Sequence, residues 1–162
     1  MKKPDDFEQD CRKIIETYGH MVQQVGGSGW AYTIGLTPTL GYELICVGLP
    51  LQVTQPLLND LAAMLKSSEI PDEQAIADIS NMPVILRTID LAETPNVGIL
   101  INVARRLNIV PTKLRQMVWP DPAGNYPGSP NYNFPIPQDL HAIAAQEIKD
   151  RRVMSRGSKR IH

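Results

Sequence analysis

The chain has 162 residues, a formal net charge of −1, and 43% apolar against 20% charged residues. That length is one domain's worth and buries a core without disulfide or metal staples. The near-zero charge gives no global pull toward nucleic acid or membrane. No apolar run approaches the roughly 18 residues of a membrane span, and the basic Met1-Lys2-Lys3 start is followed by no apolar stretch, so a cytoplasmic protein is expected.

Pro4 to Glu8 reads as a helix start, with Asp5 as cap and Glu8 three residues on. Phe7, Cys11, Ile14, Ile15 and Tyr18 recur on one helical face, and Gly19 closes the helix. His20–Val25 predicts a strand, Gly26–Gly29 a tight reversal, and Trp30–Leu36 the returning strand. By period two, Trp30, Tyr32, Ile34 and Leu36 share one face and Ala31, Thr33 and Gly35 the other. The aromatic face is the expected core side. The small face leaves room for a packed helix or for a ligand.

Glu43–Leu49 is a near-continuous apolar run, expected as a central strand covered on both faces. Thr54-Gln55-Pro56 opens a helix with Pro in its first turn and Leu57, Leu58, Leu61, Met64 and Leu65 as its stripe. Residues 67–83 are irregular, with one helical turn near Glu73–Ile79. Val84–Leu91 and Leu114–Trp119 read as strands. Asn96–Leu107 suits a helix, although residues 97–101 suit a strand equally well. Residues 111–137 hold seven of the fourteen prolines, so 120–137 is expected as an irregular segment laid on the body by Tyr126, Tyr132 and Phe134. Gln138–Met154 predicts a last helix and 155–162 a frayed end. The sum is a single α+β domain: a mostly antiparallel sheet of about five strands with three or four helices. Residues 1–137 form the body, and 138–162 form a C-terminal helix and basic tail.

Several ordered motifs resemble one family. Trp30-Ala-Tyr-Thr-Ile-Gly-Leu36 is similar to the F-A-Y-T-x-G-L motif of the bacterial domain-of-unknown-function family 4262. Tyr18-Gly19, Glu43-Leu44-Ile45, Gly48-Leu49-Pro50, Leu57-Leu58-Asn59, Gln116-Met-Val-Trp-Pro-Asp121 and Gly124-Asn-Tyr-Pro127 follow in the family's order. The resemblance spans about residues 12–130. It implies a compact α+β domain and no established activity. The family's G-H-P-E-L is replaced by Gly41-Tyr42-Glu43-Leu44, which removes that His as a ligand or base. His20 stands where Trp is common, and Ala123 where an acid precedes Gly124.

Candidate chemistry is sparse. His20, His141 and His162 have no metal-binding spacing, and no metal or cofactor is expected. Ser28 lacks the G-x-S-x-G frame and reads as a turn residue. Gly26–Gly29 leads into a strand without a Lys-Ser/Thr, so it is no phosphate loop. Cys11 and Cys46 read as buried, reduced thiols. Glu43 and Asp121, each at the end of an apolar strand, are the candidates for acid/base work near Tyr32 and Thr33. The bland alternative pairs Glu43 with Arg87 or Arg115 and uses Asp121 to cap a turn. Tyr32, Thr33, Gly35, Gly48 and Trp119 are candidates for an apolar slot.

The C-terminal 149–162 stretch carries Lys149, Arg151, Arg152, Arg156, Lys159 and Arg160 against Asp150 alone, net +5, and leaves −6 on the rest. It lacks interleaved aromatics, so a solvated end outweighs nucleic-acid contact. The leading expectation is a non-catalytic module that binds an unidentified small molecule or protein through Tyr32, Thr33, Gly35, Glu43, Trp119 and Asp121. The alternatives are a metal-independent hydrolase or lyase on Glu43 and Asp121, and a nucleic-acid-associated protein acting through Arg151, Arg152, Arg156, Lys159 and Arg160. No membrane partner is expected, and the oligomeric state is left open.

Overall fold

A computed structural model describes residues 4–25 and 29–160, with side chains for 6–25 and 29–153. The Asp5 cap, the Gly26–Ser28 part of the reversal, and the side chains of Arg156, Lys159 and Arg160 fall outside the described parts. Five strands form one mixed sheet in the order β1-β2-β3-β5-β4. They are β1 (Met21–Gln24), β2 (Trp30–Ile34), β3 (Glu43–Val47), β4 (Ile85–Asp90) and β5 (Lys113–Val118). Every neighbouring pair is antiparallel except β3 and β5, which run parallel at the centre.

Among the described residues six α-helices surround the sheet rather than three or four: α1 (Pro4–Tyr18), α2 (Thr37–Leu40), α3 (Leu51–Ser67), α4 (Pro95–Leu100), α5 (Asn102–Arg106) and α6 (Leu140–Arg160). The excess is explained by short pieces. Thr37–Leu40 is a single turn, and the apolar 95–107 stripe is one helix interrupted at Ile101, where ψ swings to 57°. Residues 97–101 therefore belong to a helix end and its break, not to a strand. A 3-10 turn at Leu91–Glu93 leads into α4.

Both faces of the sheet are covered, as the apolar β3 run requires. On one face, Trp30, Tyr32, Ile34, Ile45, Val47 and Leu114 pack with Cys11 of α1, Val97, Leu100 and Ala104 of α4–α5, and Leu140 and Ala144 of α6. On the other, Ala31, Leu44, Cys46, Leu86 and Met117 pack with Leu58, Leu61, Ala62 and Leu65 of α3 and with Ile70, Ile76 and Trp119. The small-residue face of β2 is thus occupied by a helix. Leu36 joins this second core, not the aromatic face expected from strict alternation. The reason lies in Gly35, whose φ of +116° breaks the pleat. A Cβ there would lie 2.9 Å from the Gly19 carbonyl, so Gly35 also lets the α1–β1 turn press against β2.

Three further expectations are corrected. The helix α3 starts at Leu51, not Thr54, because Pro50 caps it in extended geometry and its carbonyl accepts from the N–H groups of Val53 and Thr54. Pro56 therefore sits inside the helix, not in its first turn. Residues 73–79 hold no helical turn; Ile76 makes a lone antiparallel bridge with Val84. The last helix starts at Leu140 because Asp139 Oδ1 accepts the N–H groups of His141 and Ala142, and it runs on to Arg160.

On α1, Cys11 is buried and Phe7 and Ile15 pack against the core, whereas Ile14 and Tyr18 are exposed. Cys11 and Cys46 are free thiols in the two separate cores. Burial pushes both thiols up, Cys46 to about 12. Neither is expected to react with a thiol reagent in the native protein at neutral pH, and two equivalents are expected on denaturation. Fast native labelling of either would contradict this packing.

Candidate functional site

Several of the family-like motifs supply two hydrogen-bonded clusters, one at each end of β3. At its start, β2 and β3 pair only as far as Tyr32 and Ile45, then splay apart. The freed backbone groups need partners. Thr33 Oγ1 accepts the Leu44 N–H at 2.8 Å and donates to Glu43 Oε1 at 2.9 Å. Glu43 Oε1 also accepts the Leu36 N–H at 3.0 Å, and Oε2 accepts the Thr37 N–H at 2.7 Å and the Thr37 hydroxyl. Glu43 and Thr33 are both 0% exposed. The carboxylate thus replaces missing ladder partners with charge-assisted bonds. It pairs with neither Arg87 nor Arg115, which are taken by Glu73 and Asp72 respectively.

At the far end of β3, Gly48 has φ +91°, and a Cβ there would meet the Trp119 ring at 2.8 Å and Ile136 at 2.9 Å. The Trp119 indole fills that space and donates to the Val47 carbonyl at 2.9 Å. Phe134 meets it edge-on with ring centroids 5.2 Å apart. Gln138 clamps the Trp119 backbone from both sides: its amide oxygen accepts the N–H and its amide nitrogen donates to the carbonyl. Asp121 Oδ1 accepts the N–H groups of Ala123 and Asn125, and Oδ2 that of Asn133. Asp121 thereby folds the Pro-rich segment back on itself, and Tyr126 ties that segment to the Pro83 carbonyl.

The structure does not bring Glu43 and Asp121 together. Glu43 lies beside Leu114 at the start of β5, and Asp121 follows the far end of that strand. At about 3.3 Å per strand residue the two are roughly 20 Å apart. Tyr32 and Thr33 project to opposite faces; Tyr32 lies under α5, 2% exposed, with its phenol pushed up to about 12 by burial. The six residues expected to share one binding surface, Tyr32, Thr33, Gly35, Glu43, Trp119 and Asp121, are thus divided among two cores and two strand ends. Arg151 is bonded to Glu147 one helical turn before it, and Arg152 is exposed.

The open chemistry lies elsewhere. A concavity of about 620 Å³ is lined by Tyr42, Ile70, Pro71, Asp72, Thr88 and Arg115, with Glu69 and Lys113 at its rim. Among the lining residues, Arg115 is only 8% exposed. Asp72 Oδ1 accepts from Nε at 3.2 Å and Nη2 at 2.7 Å, and the Ile70 carbonyl accepts from Nη2 at 2.6 Å. The guanidinium lies 5.1 Å from the centre of the Tyr42 ring, within cation–π range. Asp72 also accepts the Thr88 N–H at 2.7 Å. An arginine inside the strand-forming Leu114–Trp119 stretch was the available sequence signal for this site. Its partners in 69–72 lie far away in sequence and carried none.

Burial pushes the carboxyls of Asp72 and Asp121 up, but hydrogen bonds outweigh it, from Arg115 and Thr88 in the first case and from Asn133, Asn125 and Ala123 in the second. Both end below the usual carboxylate value. Groups depressed on folding contribute stability that is fully present above the unfolded value, near ~4, and lost as pH falls through the folded values. Urea midpoints are therefore expected to be level above about pH 5 and to drop toward pH 3, less steeply in Asp121→Asn. An acid limb unchanged by that substitution would remove Asp121 from the account.

A second concavity, of about 510 Å³, lies along β1 between Ile14, Tyr18, His20 and Asn59. There His20 Nε2 lies 2.8 Å from Asn59 Oδ1. Among the described residues no group of three or more His, Cys, Asp or Glu is placed to hold a metal ion, and no helix is long and apolar enough to cross a membrane.

The fold and these clusters define an α+β domain with a mixed five-stranded sheet, whose buried polar groups mainly secure strand ends. Residues 14–133 match the family described as Domain of unknown function (DUF4262), and the chain belongs to it. No curated protein and no solved structure matches the chain.

Proposed function

We propose that this protein is a non-catalytic module that binds a small molecule in the Tyr42–Arg115 concavity. The observation that carries the reading is an open space of about 620 Å³, within the usual range for ligand sites, built around a buried and rigidly held arginine. Apolar walls from Tyr42, Ile70 and Pro71 supply contact area, and a few fixed polar groups supply orientation. The non-catalytic part rests on Glu43 and Asp121, whose oxygens are committed to internal donors at opposite strand ends. A cytoplasmic setting belongs to the same proposal and fits two free thiols.

The small-residue face of β2 is left out of this reading because α3 packs against it. The test is an amide-resolved NMR titration with a mixed set of small fragments. Binders are expected to move the signals of Ile70, Thr88 and Lys113 and to leave those of 128–138 in place. Shifts confined to other surfaces, or no binders at all, would refute this site and turn the search to protein partners.

A further inference from the structure

We infer that the ligand of this concavity is a monoanion: a carboxylate carried on an apolar body. The inference rests on the small-molecule reading above and goes further by naming the group recognised.

A guanidinium has five N–H donors in a fixed planar fork. In Arg115, Nε and both donors of Nη2 are spent on Asp72 and the Ile70 carbonyl. That leaves Nη1, whose one bond here is a long 3.4 Å contact to the Tyr42 hydroxyl. The arginine is therefore held through Nε and Nη2, and only Nη1 remains for another partner. Lys113 stands two residues earlier on β5, so it projects from the same side of the strand as Arg115. It is exposed at the rim of the same space. Arg115 and Lys113 line the same opening, and the Tyr42 ring, Ile70 and Pro71 wall the rest.

The charges in the opening set the ligand's valence. Lys113 and Arg115 contribute two positive charges; Asp72 and Glu69 contribute two negative ones. Asp72 is occupied by Arg115 and the Thr88 N–H, so its charge is largely answered on its own side. Glu69 faces the opening from the rim. The four lining charges sum to zero, so a ligand with one negative charge, met by Nη1 and Lys113, leaves a smaller uncompensated charge than a dianionic phosphate does.

The experiment compares benzoate, benzamide and phenyl phosphate as probes on the full chain, by the same NMR titration at low salt. Benzoate is expected to bind at least about tenfold more tightly than benzamide, the factor a lost charge-assisted hydrogen bond implies. It is also expected to bind more tightly than phenyl phosphate. Lys113→Ala alters an exposed side chain, so the fold is retained and the benzoate preference over benzamide is expected to shrink several-fold. Arg115→Lys serves as a second variant, read only where its amide spectrum stays native, and is expected to abolish the preference. Equal binding of benzoate and benzamide at Ile70, Thr88 and Lys113 would overturn the carboxylate and leave the pocket standing. Tighter phenyl phosphate binding would overturn the monoanion. Failure of all three probes to move those signals, together with failure of the fragment set, would remove the pocket itself.

Discussion

Replacing Glu43 with glutamine is expected to cost about 2–4 kcal/mol of folding stability, although the side chains have nearly the same shape. The carboxylate accepts from four donors, two on each oxygen. An amide keeps one oxygen and turns the other position into a donor. Facing Leu36 or Thr37, that NH2 group meets an N–H where an acceptor is needed, and the site is 0% exposed, so no water relieves the conflict. The measurement is the urea midpoint with the m-value held constant. A loss below about 0.5 kcal/mol, the usual size for an uninvolved substitution, would mean the carboxylate is not a structural acceptor. The acid/base reading of Glu43 would then have to be reopened.

Trp119→Ala is expected to cost about 3–5 kcal/mol, the range for truncating a buried large aromatic. Three supports vanish together: the indole bond to Val47, the edge contact with Phe134, and the filling of the space above Gly48. The damage is expected to be local as well as global. Amides of 121–137 should exchange faster than those of β3 and β5, because Phe134 and Ile136 lose the surface they lie on. Trp119→Phe keeps most of the apolar contact and loses the indole donor, so about 1 kcal/mol is expected for it. Equal costs for the two variants would show that the hydrogen bond, not the packing, anchors the segment.

Much of the sheet was legible because its signals are local. The apolar runs at 43–49, 84–91 and 114–119 each gave a strand within a few residues of its place. Gly19 closes α1 as its position suggested, its N–H reaching the Ile15 carbonyl at 2.7 Å. Leu36 was misplaced because period two holds only while the pleat does, and Gly35 breaks it. The opening of α3 was misread because Pro56 looks like a first-turn residue, whereas Pro50 already provides the cap. The helix count failed because a one-turn helix such as Thr37–Leu40 has too few residues to show a period.

The site was less legible than the fold, for a physical reason. Small residues, a buried acid and a tryptophan beside a proline describe a tight junction as well as a binding groove. The sequence does not say which side chains reach one another. Thr37 supplies two of the bonds to Glu43, yet nothing in Leu36-Thr37-Pro38 distinguishes it from an ordinary loop threonine. Arg115 and Asp72 meet only because residues 68–84 return along the sheet to the end where Tyr42 lies.

The parallel pairing of β3 with β5 makes the centre of the sheet a seam between two locally assembled halves. One half is the β1–β2–β3 meander with α1 and α3, and the other is the antiparallel β4–β5 pair. Within each half the strands join by connections shorter than the 48–112 stretch that separates β3 from β5 in sequence. Closing the seam means bringing together the most distant partners in the sheet, a step dominated by loop entropy. Each half carries one side of the Tyr42–Arg115 concavity, Tyr42 on the first and Thr88, Lys113 and Arg115 on the second. A ligand bridging them would therefore act as a clasp on the last joint to close, and would slow unfolding more than it speeds folding.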